Sequence, residues 1–179
     1  MTGLLFFIIV ILLLSIAYMD LKERCVYLSL FIGLFATIFI YTLLQRGWIA
    51  VLYQLLFNAG IVLLITLFLL LFYLIKGKTT GEVINRKLGV GDIVFWISIT
   101  PLFSAVNFLL FFIASLLVIL LLVLCILFDN RDKEVKTIPL AGYQSVILAL
   151  VLLVNQSMFH HDLSTDIFLL GRFLFQYKN

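Results

Sequence analysis

Long apolar runs broken by short charged stretches make up most of this chain. The run "GIVLLITLFLLLFYLI" at 60–75 is typical. It does not alternate between apolar and polar residues, which a half-exposed strand or a transmembrane barrel strand would do. Continuous runs of this length predict helices. Six spans follow, at about 4–19, 26–44, 49–75, 93–108, 109–128 and 139–159. A helix crosses a bilayer with about 20 residues, in a range near 17–25. The first and fourth spans are therefore short for the task. Only Pro101, Ser104 and Asn107 signal a turn between the fourth and fifth, and a kinked single helix or a re-entrant segment is the alternative there.

Composition sets the solvent. Hydrophobic residues make up 65% of the 179 and charged residues 12%, against roughly 45–50% and about 25% in soluble domains. A core of this size has no room for so much Leu, Ile, Val and Phe. Lipid must surround most side chains, and lipid cannot satisfy the N–H and C=O groups of an open sheet edge. The expected class is an all-α polytopic membrane protein with about six transmembrane helices. Residues 1–159 form its core, and 160–179 form an outer tail for which an interfacial helix over "LSTDIFLLGRFLF" competes with a frayed end. No internal repeat divides the chain.

Charge orients the spans. The opening "MTGLLFF" has no Lys or Arg, unlike a cleaved signal peptide, so the first span is expected to be retained with the N-terminus outside. Lys22 and Arg24 follow span one. Lys76, Lys78, Arg86 and Lys87 follow span three, and Arg131, Lys133 and Lys136 follow span five. These nine face three on the other side, Arg46, Arg172 and Lys178. Basic residues collect in short cytoplasmic loops. The expected location is the inner (cytoplasmic) membrane, with both termini outside. That alternation requires two crossings between Asp92 and Asp129.

Most ionisable residues fall in loops, but two acids abut apolar helix on the expected cytoplasmic side. Asp20 closes span one in "LSIAYMDLKER", and Asp92 opens span four in "RKLGVGDIVFW". A carboxylate at a membrane boundary is costly unless it has partners or a task. Two carboxylates at one depth can meet in a bundle, share a proton and activate water. Gly89 and Gly91 lack a Cβ, so another chain can approach their backbone. The plain alternative is a loop before a helix, with Asp92 as its N-cap.

In this ordered combination the chain resembles the type IV prepilin peptidase family, including its archaeal preflagellin-peptidase branch. "GVGD" at 89–92 matches the family's GxGD motif. Asp20 in "DLKERCV" matches the acid that follows a hydrophobic helix and precedes a basic segment. "KTIPLAG" at 136–142 is similar to the Ile-Pro that leads into the last helix. The resemblance runs from Ala17 to about Gly142. It implies an intramembrane aspartic endopeptidase with catalytic Asp20 and Asp92, supporting Gly89 and Gly91, and no cofactor or metal. The implied partner is a pilin-like or flagellin-like precursor with a basic leader and a hydrophobic helix, cut at the cytoplasmic membrane face. Three departures stand. Val26, Tyr27 and Leu28 occupy the place of the family's Ile-Pro-Asn. The paired-cysteine methyltransferase region of many bacterial members has no counterpart, and the helix before Asp20 is short. The presenilin and signal-peptide-peptidase group also carries GxGD, but it has more spans than this length allows, and its first Asp lies well inside a helix.

Other residues fit plainer roles. His160, His161, Asp162 and Asp166 look like metal ligands but lack further His or Cys nearby. Cys25 and Cys125 form no CxxC, and Cys125 fits packing in an apolar run. Asp129, Asp132 and Glu134 alternate with basic residues in one loop, as a solvated, self-paired segment does. Gln54, Asn58, Asn107, Gln144, Asn155 and Gln156 suit interhelical hydrogen bonds. Trp48 and Trp96 suit interface anchors, and the basic loops suit lipid head groups. Nothing points to nucleic acid. A small ion-coupled transporter and an inactive peptidase-like scaffold are the competing functions.

Overall fold

The computed structural model describes residues 2–76, 89–129, 139–159 and 163. Its helices are α1 (Thr2–Glu23), α2 (Leu28–Arg46), α3 (Trp48–Ile75), α4 (Val90–Ile99), α5 (Ala105–Asp129) and α6 (Leu140–Val154). A 3-10 turn at Thr100–Leu102 extends α4, and a π turn at Asn155–Phe159 extends α6. Among the described residues, five helices are long and apolar enough to cross a membrane. This is an all-α, polytopic membrane fold. Its outer surface is apolar, with Phe7, Ile11, Ile49, Leu56, Phe68 and Leu121 exposed, as side chains facing lipid would be.

The bundle is organised around α1. Phe6, Ile9, Val10, Leu13, Ile16 and Ala17 are its buried residues, spaced to form one helical stripe. Asp20 falls three and four residues beyond Ala17 and Ile16, so it continues that stripe inward. The buried face of α6 includes Ala141, Ser145 and Ala149, four residues apart, together with Gly142. Small side chains let helix backbones come close in lipid, where packing replaces the hydrophobic drive. Helices α1 and α6 accordingly form the most extensive contact in the bundle.

One residue, Gly47, joins α2 to α3. Its φ of +79° lies where a Cβ is disfavoured, and its amide donates to Leu43 O at 3.0 Å. Arg46, just before it, donates to Gln54 Oε1 at 3.2 Å and to Leu102 O at 3.3 Å. The short α4 thus runs from the Asp92 end of the bundle to the level of Arg46. With its 3-10 turn it spans 90–102, about 20 Å of rise at helical dimensions, too little to cross a full hydrocarbon core alone.

The break between α4 and α5 falls at Phe103–Ser104, five residues before the boundary expected from the sequence. Pro101 lies inside the 3-10 turn. The Ser104 hydroxyl accepts the Asn107 amide at 3.3 Å and so caps α5. Fully buried Asn58 donates to Thr100 O at 2.9 Å and to Phe103 O at 2.8 Å. It thereby satisfies carbonyls that a broken helix leaves open. In the tail, Leu163 O accepts from the Ser104 amide and from Asn107 Nδ2.

Several expectations change. Helix α1 is 22 residues long, so the first span is not short; Asp20 closes it, within the last turn. Trp96 is not an interface anchor: it is buried, at 3% exposure, because α4 packs inside the bundle. Trp48 is exposed at the start of α3. Cys125 is exposed on α5 and does not pack in the core. The interhelical bonds expected of Gln54, Asn58 and Gln144 are present, whereas Asn107 binds Leu163 in the tail instead of another helix. The basic residues at 78, 86, 87, 131, 133, 136, 172 and 178 lie outside the described residues. So do Asp132, Glu134, His160, His161, Asp162, Asp166, the side chain of Asp129 and the tail apart from Leu163.

Candidate active site

Asp20 and Asp92 meet at the first turn of α6. The Ala141 amide donates to Asp92 Oδ1 at 2.8 Å, and the next amide, that of Gly142, donates to Asp20 Oδ2 at 2.6 Å. Residues 122 and 49 positions away in the chain thus reach consecutive N–H groups. The first amides of any helix lack intrahelical partners, and their positive end favours carboxylates. Pro139 precedes α6 and its carbonyl accepts the Tyr143 amide at 3.2 Å, which leaves the amides at 141 and 142 to the two acids.

Each acid is aimed by its own helix. Asp20 points inward on the stripe of Leu13, Ile16 and Ala17. Asp92 precedes Phe95, Trp96 and Ile99, all buried, by three, four and seven residues, so it also lies on a core-facing stripe. Asp92 is not the N-cap of α4. Gly89 is the N-cap, and Asp92 is the third helical residue. Its own amide donates to Gly89 O at 3.0 Å.

The glycines divide in role. A Cβ on Gly89 would lie 2.8 Å from Asp92 Oδ2, so a side chain there would displace the Asp92 carboxylate; its φ of −66° and ψ of 125° suit any residue. A Cβ on Gly91 would meet none of the described residues within 4 Å. Gly142, which composition and charge did not single out, is confined by another helix. Its Cβ would lie 3.0 Å from both Asp20 Cβ and Oδ2 and 3.3 Å from Leu21 Cγ.

The manner of holding matters chemically. A paired cation would pin a carboxylate in its ionised form. Backbone amides fix position with a weaker bias, and burial can then dominate. Asp92 lies in the first turn of α4, ahead of its apolar stretch. Burial pushes its carboxyl up to about 6; the Ala141 amide opposes this, the nearby Asp20 charge adds to it, and the Gly89 amide opposes it. Asp92 therefore keeps its proton to higher pH than an exposed carboxylate does.

A stability prediction follows from that sign. The folded state binds the Asp92 proton more tightly than the unfolded chain, so this contribution is complete at pH below the ordinary value of 3.8 and is lost as pH rises through about 6. The thermal midpoint of purified protein should fall between those values and level off above. Asp92→Asn should flatten that fall and melt higher than the parent at pH 7.5. A steeper fall in the variant would contradict the burial argument.

No family model, no characterised protein and no solved structure matches this chain. Among the described residues, no group of three or more His, Cys, Asp or Glu is placed to hold a metal ion.

Proposed function

We propose that this protein is an intramembrane aspartic endopeptidase in which Asp20 and Asp92 work as one acid–base pair. The observation that carries the reading is the hold of both carboxylates by consecutive amides, Ala141 and Gly142, at a single helix start. With one proton between them, the ionised carboxylate takes a proton from water as the water oxygen attacks a peptide carbonyl carbon. The protonated carboxyl gives its proton to the carbonyl oxygen, forming a tetrahedral diol. Collapse of the diol breaks the C–N bond, and the leaving nitrogen is protonated by the pair. No covalent intermediate forms.

The proposed substrate is a pilin-like or flagellin-like precursor with a basic leader followed by a hydrophobic helix. Its helix stays in lipid while the junction unwinds, because a helix occupies its own peptide groups. The extended junction would lie beside Gly91, where a Cβ would meet none of the described residues within 4 Å. By the distribution of basic residues, this end of the bundle faces the cytoplasm.

The test is purified protein in lipid vesicles, mixed with such a precursor. One cut at the junction between leader and helix is expected, unaffected by chelators. Activity should be bell-shaped in pH, since it needs one carboxyl charged and the other protonated. Gly91→Val should keep the thermal midpoint, because none of the described residues packs there, yet raise KM or lower kcat at least about tenfold. Full activity of Gly91→Val would remove Gly91 from the substrate path. No cleavage by intact, folded protein would refute this substrate, and an ion flux abolished by Asp20→Asn would favour the carrier alternative.

A further inference from the structure

Below the carboxylates, a buried polar chain crosses three helices. Trp96 Nε1 donates to Gln144 Oε1 at 2.7 Å, Gln144 Nε2 donates to Ser115 Oγ at 3.0 Å, and the Ser115 hydroxyl donates to Phe112 O at 3.0 Å. Gln144 is 0% exposed, Ser115 1% and Trp96 3%. A buried amide surrounded by lipid-embedded helices is tolerated only with its partners in place, and an apolar side chain would fill the same room without that demand. The placement explains the choice. Trp96 lies four residues after Asp92, on the same stripe of α4. Gln144 lies three residues after Ala141 and two after Gly142, on the helix whose amides hold both acids.

The neighbouring contact surface gives a second reason. Ala141, Gly142, Ser145 and Ala149 are small, so the face of α6 near the acids has few large side chains to set depth or rotation. A directional bond supplies that setting. Ser98, two residues past Trp96, donates to Val94 O of its own helix at 2.7 Å and lies 3.3 Å from Phe31 O of α2. We infer that Gln144 is a positioning residue. The Trp96–Gln144–Ser115 chain sets the register of α4 on α6, so that Asp92 meets the Ala141 amide while Asp20 meets the amide of Gly142. The effect on catalysis rests on the peptidase reading; the effect on the Asp92 carboxyl does not.

The experiment reads both. In a Trp48→Phe background Trp96 is the sole tryptophan, and ultraviolet resonance Raman reports whether its N–H is bonded. Infrared bands that vanish in Asp92→Asn belong to the Asp92 carboxyl and report its hydrogen bonding. Gln144→Leu should free the Trp96 N–H, shift the Asp92 bands towards a weaker hydrogen bond, and lower kcat about 10²-fold, as a misplacement near 1 Å does, with KM within twofold of the parent. Trp96→Phe and Ser115→Ala should act in the same direction if Gln144→Leu fails to fold, and Ser115→Thr should restore the hydroxyl and most of the activity. Unchanged Asp92 bands in variants that break the chain would overturn the proposal. So would a kcat that falls only in step with the folded fraction. If the intact protein cuts no precursor, the substrate reading fails, while the infrared result still decides the positioning role.

Discussion

Asp20→Asn and Asp92→Asn should each lower leader cleavage by about 10²–10⁴-fold, the range that a positioned acid or base contributes. Asn has nearly the size of Asp, and its carbonyl oxygen can still accept the amide that holds each side chain at 2.6 or 2.8 Å. Each variant should therefore insert and fold. Neither can take a proton from water or pass one to a leaving nitrogen. Single-turnover cleavage at matched levels of inserted protein measures the effect. Glu23→Gln is the control: Glu23 lies three residues past Asp20 on α1 but is exposed, and its change should alter the rate by less than threefold. Equal losses in all three variants would indicate a general charge effect rather than a dyad.

Gly142→Val should be nearly as damaging, although residue 142 carries no chemistry of its own. Even a single added carbon would sit 3.0 Å from Asp20 Cβ. That atom is fixed to the α1 backbone, so rotation of the Asp20 carboxyl cannot relieve the contact. A valine branch would drive α1 and α6 apart at the point where Asp20 takes its amide. A shift near 1 Å in a reacting group lowers rate about 10²-fold. The same change also weakens the main helix contact, so the thermal midpoint should fall. Gly142→Ala should show the same effects in milder form. Gly60→Ala is the comparison, because a Cβ there meets nothing within 4 Å. Wild-type cleavage by Gly142→Val would mean that Asp20 does not need that amide.

Much of this arrangement is legible in the sequence, and the gaps have physical causes. Continuous apolar runs identify the helices because lipid admits few other backbones. The α4–α5 boundary is harder to place, because the signals near it, Pro101, Ser104 and Asn107, all serve the break: one shapes the 3-10 turn and the other two cap α5 and bind Leu163. Asp20 and Asp92 stand out as acids against apolar helix. Their inward aim is readable from spacing, since Asp20 continues the stripe of Leu13 and Ile16 and Asp92 precedes that of Phe95 and Ile99. The amides of Ala141 and Gly142 leave no such trace, since every residue but proline has one. Only the run of small residues on α6 hints that a helix comes close there. Trp96 and Gln144 read as unrelated residues of two spans, an interface aromatic and a bundle polar group, because only the fold brings their side chains to 2.7 Å.

The central claim is that two carboxylates on neighbouring amides form a single working unit. The Asp20→Asn, Asp92→Asn double variant tests it most directly, in single-turnover cleavage of a leader-bearing precursor by protein in lipid vesicles. Residues that act as a unit are strongly non-additive. The account predicts that the double variant is no slower than the slower single variant. A double variant whose loss equals the product of the two single losses would show two independent contributions and would contradict the account.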